Sequence, residues 1–80
     1  MARCRAEFIV EPFAEGNPGP HVAAAVAATE AAGLAPDVGP FGTSIEGTAE
    51  MVLGALHSLV EQSLAKGASR ISMQVTVVAD

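Results

Sequence analysis

Two glycines, Gly33 and Gly67, each close a run of helical character and stand 34 residues apart, which constrains this chain more than any other feature. The run before Gly33, HVAAAVAATEAA, is dominated by alanine, the strongest helix former. The run before Gly67 carries Val52, Leu53, Leu56, Leu59, Val60 and Leu64 at close to a 3.6-residue period. A glycine that tolerates the left-handed conformation suits the position just past each helix. Two extended runs end in a similar way, at Val10-Glu11-Pro12 and Ile45-Glu46-Gly47, 35 residues apart. A strand–helix unit is therefore written twice.

The remaining segments fit around that repeat. Residues 3–11 alternate, with Ala6, Phe8 and Val10 on one side and Arg5, Glu7, Ile9 and Glu11 on the other. Pro12 ends this strand because it lacks a ladder donor. Residues 13–19 read as a loop broken by Gly16, Pro18 and Gly19. Pro20 suits the first position of a helix that runs to Ala32. Residues 34–39 form a weak strand anchored by Val38, and Pro36 assigns it to a sheet edge. Gly39-Pro40-Phe41-Gly42 has the composition of a turn. Residues 43–46 form the third strand, and Thr48 caps a helix over 49–66 that has Glu50 in its first turn. Ser69 to Val78 alternates cleanly, with Ile71, Met73, Val75 and Val77 against Ser72, Gln74, Thr76 and Val78. The order βαββαβ predicts an α+β ferredoxin-like sandwich, one four-stranded antiparallel sheet with two helices on one face, in a single domain over residues 1–80.

This architecture sorts the side chains. Phe8, Val10, Ile71, Met73 and Val75 are expected beneath the helices. The open face carries Glu7, Ile9, Glu11, Ser72, Gln74, Thr76 and Val78, joined by Ser44 and Glu46 because the first and third strands are neighbours. Such a mixed face can be solvated, pack on another subunit, or hold a ligand at its margin. Size favours a partner, since a chain of 80 residues buries only about 60% of its unfolded surface. Cys4 is the single cysteine, which excludes an internal disulfide. Homo-oligomerisation through sheet faces, as a dimer or tetramer, is the remedy that remains.

Several functions lack their parts. The net charge of −5 opposes binding to nucleic acid and mildly favours a cationic small ligand. RNA recognition also needs aromatic residues on the central strands, and Phe8 points inward. No apolar run reaches the roughly 20 residues that span a bilayer. Met1 is not followed by a signal-peptide core, so a cytoplasmic location is expected. No metal site is expected, because one cysteine is too few for a soft-metal chaperone and His21 and His57 lie on different helices. Cys4 reads as a buried structural thiol with no partner histidine. His21 reads as a solvated side chain, and His57 as a packing or surface residue. An enzyme is not expected.

The segment PFGTSIEGT, residues 40–48, breaks the aliphatic pattern with Thr43, Ser44 and Glu46. A strand end with two hydroxyls and a carboxylate suits a ligand bearing an amine or a fixed positive charge, and equally suits a solvated turn. Taken with V-E-P (10–12), A-G-L (32–34), A-K-G (65–67) and Arg70, this segment resembles the small thiamine-binding protein family over nearly the whole chain. The resemblance implies a ferredoxin-like domain that assembles through its sheets and holds thiamine or its hydroxymethylpyrimidine part. Thiamine would then be a bound ligand rather than a catalytic cofactor. Gly42, Thr43, Glu46 and Gly47 match the family's segment, and the resemblance implies Thr43 and Glu46 as ligand contacts beside Ser44 and Gly42. Phe41 stands where the family has methionine and is either a stacking surface for the ligand or a core or interface residue. Two features depart from the family. The loop after Pro12 reads Gly16-Asn17-Pro18-Gly19 in place of small hydroxyl residues, and a basic tail does not follow Val78. The alternative reading is a ligand-free assembly domain.

Overall fold

Strand β1, Arg3–Glu11, occupies the middle of the sheet, and its alternation organises everything else. A computed structural model describes residues 2–12, 19–39 and 42–79. Cys4, Ala6, Phe8 and Val10 are buried, while Arg3, Arg5, Glu7 and Ile9 are exposed on the other side. After β1 the chain forms α1 (Pro20–Ala31), β2 (Asp37–Val38), β3 (Thr43–Thr48), α2 (Ala49–Ala65) and β4 (Arg70–Ala79). The strand order is β2-β3-β1-β4, and every pairing is antiparallel. This is the ferredoxin-like α+β arrangement that the doubled strand–helix unit predicts.

The local signals act as their chemistry requires. Pro20 opens α1, where its missing N–H costs nothing. Gly33 and Gly67 have φ of 87° and 99°, a region that other residues enter at a cost. The Thr48 side chain accepts a hydrogen bond from the Met51 backbone N–H at 3.2 Å and caps α2. β3 runs two residues further than the sequence suggests, because Gly47 and Thr48 continue to pair with Cys4 and Arg3. β2 is shorter, confined between Pro36 and Gly39. The Gly39 N–H donates to the Gly42 carbonyl at 2.8 Å, and residues 40 and 41 of the turn expected from sequence lie outside the described residues.

Leu34, Ile45, Val52, Ala55, Leu56 and Leu59 complete the core between the helices and β1 and β3. Three expectations about packing need correction. Met73 and Val75 face the helix side, opposite Phe8 and Ala6, yet they are 41% and 45% exposed, and Ile71 is only partly covered. The helices lie over β1 and β3 and leave Met73, Val75 and Val77 of β4 exposed. Leu53 and Leu64 of α2 are likewise exposed, because their positions on the helix turn away from the sheet. His21 is buried at 8% exposure rather than solvated, and its Nε2 meets the Pro12 carbonyl.

Candidate functional site

The register of the sheet draws one polar row across all four strands. Asp37 of β2 stands opposite Ser44 of β3, Ser44 opposite Glu7 of β1, and Glu7 opposite Gln74 of β4. Residues directly opposite in antiparallel strands share a face, so all four project from the open side. Adjacent strands are about 4.8 Å apart. Glu7 is thus flanked on both sides by hydrogen-bonding groups, with a second carboxylate two strands away.

This row forms the floor of a cleft of about 700 Å³ that is open to solvent along its length. Arg5 borders it on one side, and Ile9 with Ser72 borders it on the other. The volume lies within the range of about 300–1,000 Å³ usual for small-molecule sites. Gly42 lies at the mouth, where a Cβ would sit 3.1 Å from both Ile9 Cγ1 and the Phe8 carbonyl oxygen. Among the described residues, ion pairs join Arg3 to Glu46 at 3.7 Å, Arg70 to Glu11 at 3.5 Å, and His57 to Glu61 at 3.2 Å. The carboxylates of Glu7 and Asp37 take part in none of them. Among the described residues no three His, Cys, Asp or Glu side chains cluster as a metal site requires. No helix among them is long and apolar enough to cross a membrane.

A family model matches this chain, and several solved structures share its fold. The model of a family described as thiamine-binding protein matches residues 6–79. The chain belongs to that family. Similar solved structures include the domain of unknown function DUF77 from Bacillus cereus, 19% identical with a TM-score of 0.71, which covers 98% of this chain and 76% of that one. A hypothetical protein from Methanocaldococcus jannascii is 20% identical at a TM-score of 0.72, covering 100% of this chain and 82% of its own. A candidate thiamine biosynthesis/salvage protein from Thermotoga maritima is 22% identical at a TM-score of 0.67, covering 94% and 81%. At these identities the likeness establishes the fold alone. Among curated proteins none matches.

The thiamine-binding family's segment is divided between two faces in this chain. Ser44 and Glu46 lie on the open face, but Thr43 stands opposite Phe8 and is 8% exposed on the helix side. Strand alternation forces this, because residues 43 and 46 differ by an odd number. Thr43 and Gly42 still border the cleft at the beginning of β3, beside Ser44. Glu46 does not line it. That side chain is 51% exposed, directly opposite Arg5 and paired with Arg3. Phe41 and Asn17 lie outside the described residues.

The residues that sequence reasoning passed over are Glu7, Asp37 and Gln74. Glu7 and Gln74 were legible as open-face residues. The missing information was the register that places both against Ser44.

Proposed function

We propose that this member of the family binds thiamine, or its hydroxymethylpyrimidine part, in the open-face cleft and releases it unchanged. The observation that carries the reading is the Glu7 carboxylate at the centre of the cleft floor, between Ser44 and Gln74 and outside every ion pair of the described residues. A carboxylate accepts from the exocyclic amine of an aminopyrimidine. A serine hydroxyl and a glutamine amide can donate to ring nitrogens or accept in turn. Ile9 offers an apolar surface to the ring. Asp37 together with Glu7 supplies negative potential for a thiazolium cation. A cation–carboxylate contact at about 4 Å gives roughly 1 kcal/mol in water and roughly 4 kcal/mol at an intermediate dielectric.

The absence of chemical change is also part of the proposal. Among the described residues no histidine or cysteine lines the cleft, and Cys4 is buried on the opposite side of β1. Ser44 would need a base to act as a nucleophile, and this reading assigns the neighbouring carboxylates of Glu7 and Asp37 to the ligand.

Calorimetric titration of the purified chain with thiamine and with hydroxymethylpyrimidine tests this. The wild type should bind at least one of them, and Glu7→Gln should weaken that binding at least about tenfold, or about 1.4 kcal/mol. Glu46→Gln should change it by less than about threefold, as expected of an exposed ion-paired carboxylate. The reverse order of effects would move the site one row along the sheet, to Arg5 and Glu46. No saturable heat with either compound would leave the ligand-free assembly domain as the reading.

A further inference from the structure

We infer that Arg5 makes one end of the cleft an anion subsite, so that the cleft takes the phosphate monoester of its aminopyrimidine ligand in preference to the free alcohol. This rests on the reading of the cleft as an aminopyrimidine site and adds to it the class of ligand. Arg5 lines the cleft together with Glu7 and Gln74. Its register partners on the open face are Glu46 of β3 and Thr76 of β4. Strand alternation also sets Arg3 and Glu7 on that face, two residues away on either side. Acidic side chains outnumber lysine and arginine by nine to four, so composition alone would supply Arg5 with a partner. Glu46 stands directly opposite, yet it joins Arg3 at 3.7 Å instead. Arg5 takes part in none of the ion pairs of the described residues.

The spacing of the row suits a small phosphate ester. Alternate residues of an antiparallel strand are about 7 Å apart, so Glu7 and Arg5 can serve neighbouring points of one molecule. In hydroxymethylpyrimidine the amine and the hydroxymethyl group are on adjacent ring carbons. With the amine on Glu7, one of the two ring orientations aims the methylene oxygen along β1 toward Arg5. An alcohol there offers the guanidinium a single neutral acceptor. A phosphate offers two oxygens in the fork geometry that arginine matches, with about 1.5 to 2 negative charges at neutral pH. The Thr76 hydroxyl, opposite Arg5, is placed to donate to a third oxygen.

Acidic neighbours oppose an anion here, and distance decides the balance. Glu46 is already joined to Arg3, and the charge of Glu7 is met by the ligand amine. Asp37 lies two strands away, across β3. The guanidinium alone is in direct contact, and Coulomb attraction weakens with separation. Thiamine fits the same groups with its ring turned over. A thiazolium then replaces the hydroxyl, and its positive charge is drawn toward Asp37 and away from Arg5. The cleft thus attracts cations on the β2 side and anions at Arg5.

Calorimetric titration with hydroxymethylpyrimidine and with its phosphate monoester tests the inference. The wild type should bind the ester at least about tenfold more tightly than the alcohol. Arg5→Gln should abolish that preference. Arg5→Lys, which keeps the charge without the fork, should retain part of it. Arg5 is exposed, so both variants should keep the circular-dichroism spectrum of the wild type. An ester that binds no more tightly than the alcohol, or a preference that survives Arg5→Gln, would overturn the inference and leave the aminopyrimidine reading intact. Inorganic phosphate that binds as tightly as the ester would also overturn it, since the pyrimidine would then contribute nothing. No saturable binding of the alcohol, the ester or thiamine would overturn both readings together.

Discussion

Single residues in the segment GTSIEG serve packing. Gly42 lies against the Phe8 carbonyl and Ile9, and a Cβ on Gly47 would sit 2.8 Å from Leu34 Cδ2. Leu34 is buried, so it can yield only by disturbing its own neighbours. Gly47→Ala is therefore expected to cost about 1–2 kcal/mol, the usual penalty for an extra methyl in a filled core. Urea unfolding of the variant measures it, and an unchanged midpoint would show that Leu34 moves aside freely. Gly54 gives the opposite case. It lies inside α2, and a Cβ added there would meet nothing within 4 Å, so only its backbone freedom matters. Gly54→Ala should stabilise the chain by about 1 kcal/mol, the propensity difference between the two residues. Sequence alone marks all these glycines as equals. Distances to Leu34 and Phe8 separate those that are required from the one that is not.

At the scale of elements, the signals confined to a few neighbouring residues were the readable ones. Pro20, Gly33, Thr48 and Gly67 set the ends of α1 and α2 to within a residue or two, because capping and proline effects act within one turn. Thr48 illustrates the cost of losing such a signal. Its hydroxyl satisfies the Met51 N–H, and α2 supplies Val52, Ala55, Leu56 and Leu59 to the core. Thr48→Ala should destabilise the chain by about 1 kcal/mol, read as a lower urea midpoint, while Thr48→Ser should retain most of the stability. The two-residue alternation of β4 was equally plain, but alternation states only that two faces differ. Whether a helix reaches over Met73 and Val75 depends on how α1 and α2 pack together, and no local pattern encodes that. The same limit hid the cleft. Glu7 and Ser44 are separated by more than thirty residues in the chain, and only the β1–β3 register makes them neighbours.

The whole molecule combines a negative net charge with an uncovered sheet face on which Glu7 and Asp37 are unpaired among the described residues. Both carboxylates are reached by solvent, so their attraction for a cation passes through water and is open to screening. The screening length is about 30 Å at 0.01 M salt and about 3 Å at 1 M. At low salt the field of the entire chain thus adds to that of the cleft, and at high salt only direct contact remains. Thiamine carries a fixed positive charge on its thiazolium ring, whereas hydroxymethylpyrimidine has none at neutral pH. Raising the salt between those limits should weaken thiamine binding by roughly tenfold, about 1.4 kcal/mol, which two solvent-screened carboxylate contacts can supply. Binding of hydroxymethylpyrimidine should change by less than about twofold, since the proposed hydrogen bonds to Glu7, Ser44 and Gln74 do not depend on long-range potential. Calorimetry at the two salt concentrations measures both. If the two ligands weaken in parallel, Glu7 and Asp37 do not act as a charged pair on thiamine, and recognition rests on the pyrimidine alone. If thiamine binding resists salt while Glu7→Gln still abolishes it, the carboxylate works at close range, with water excluded by the ligand itself.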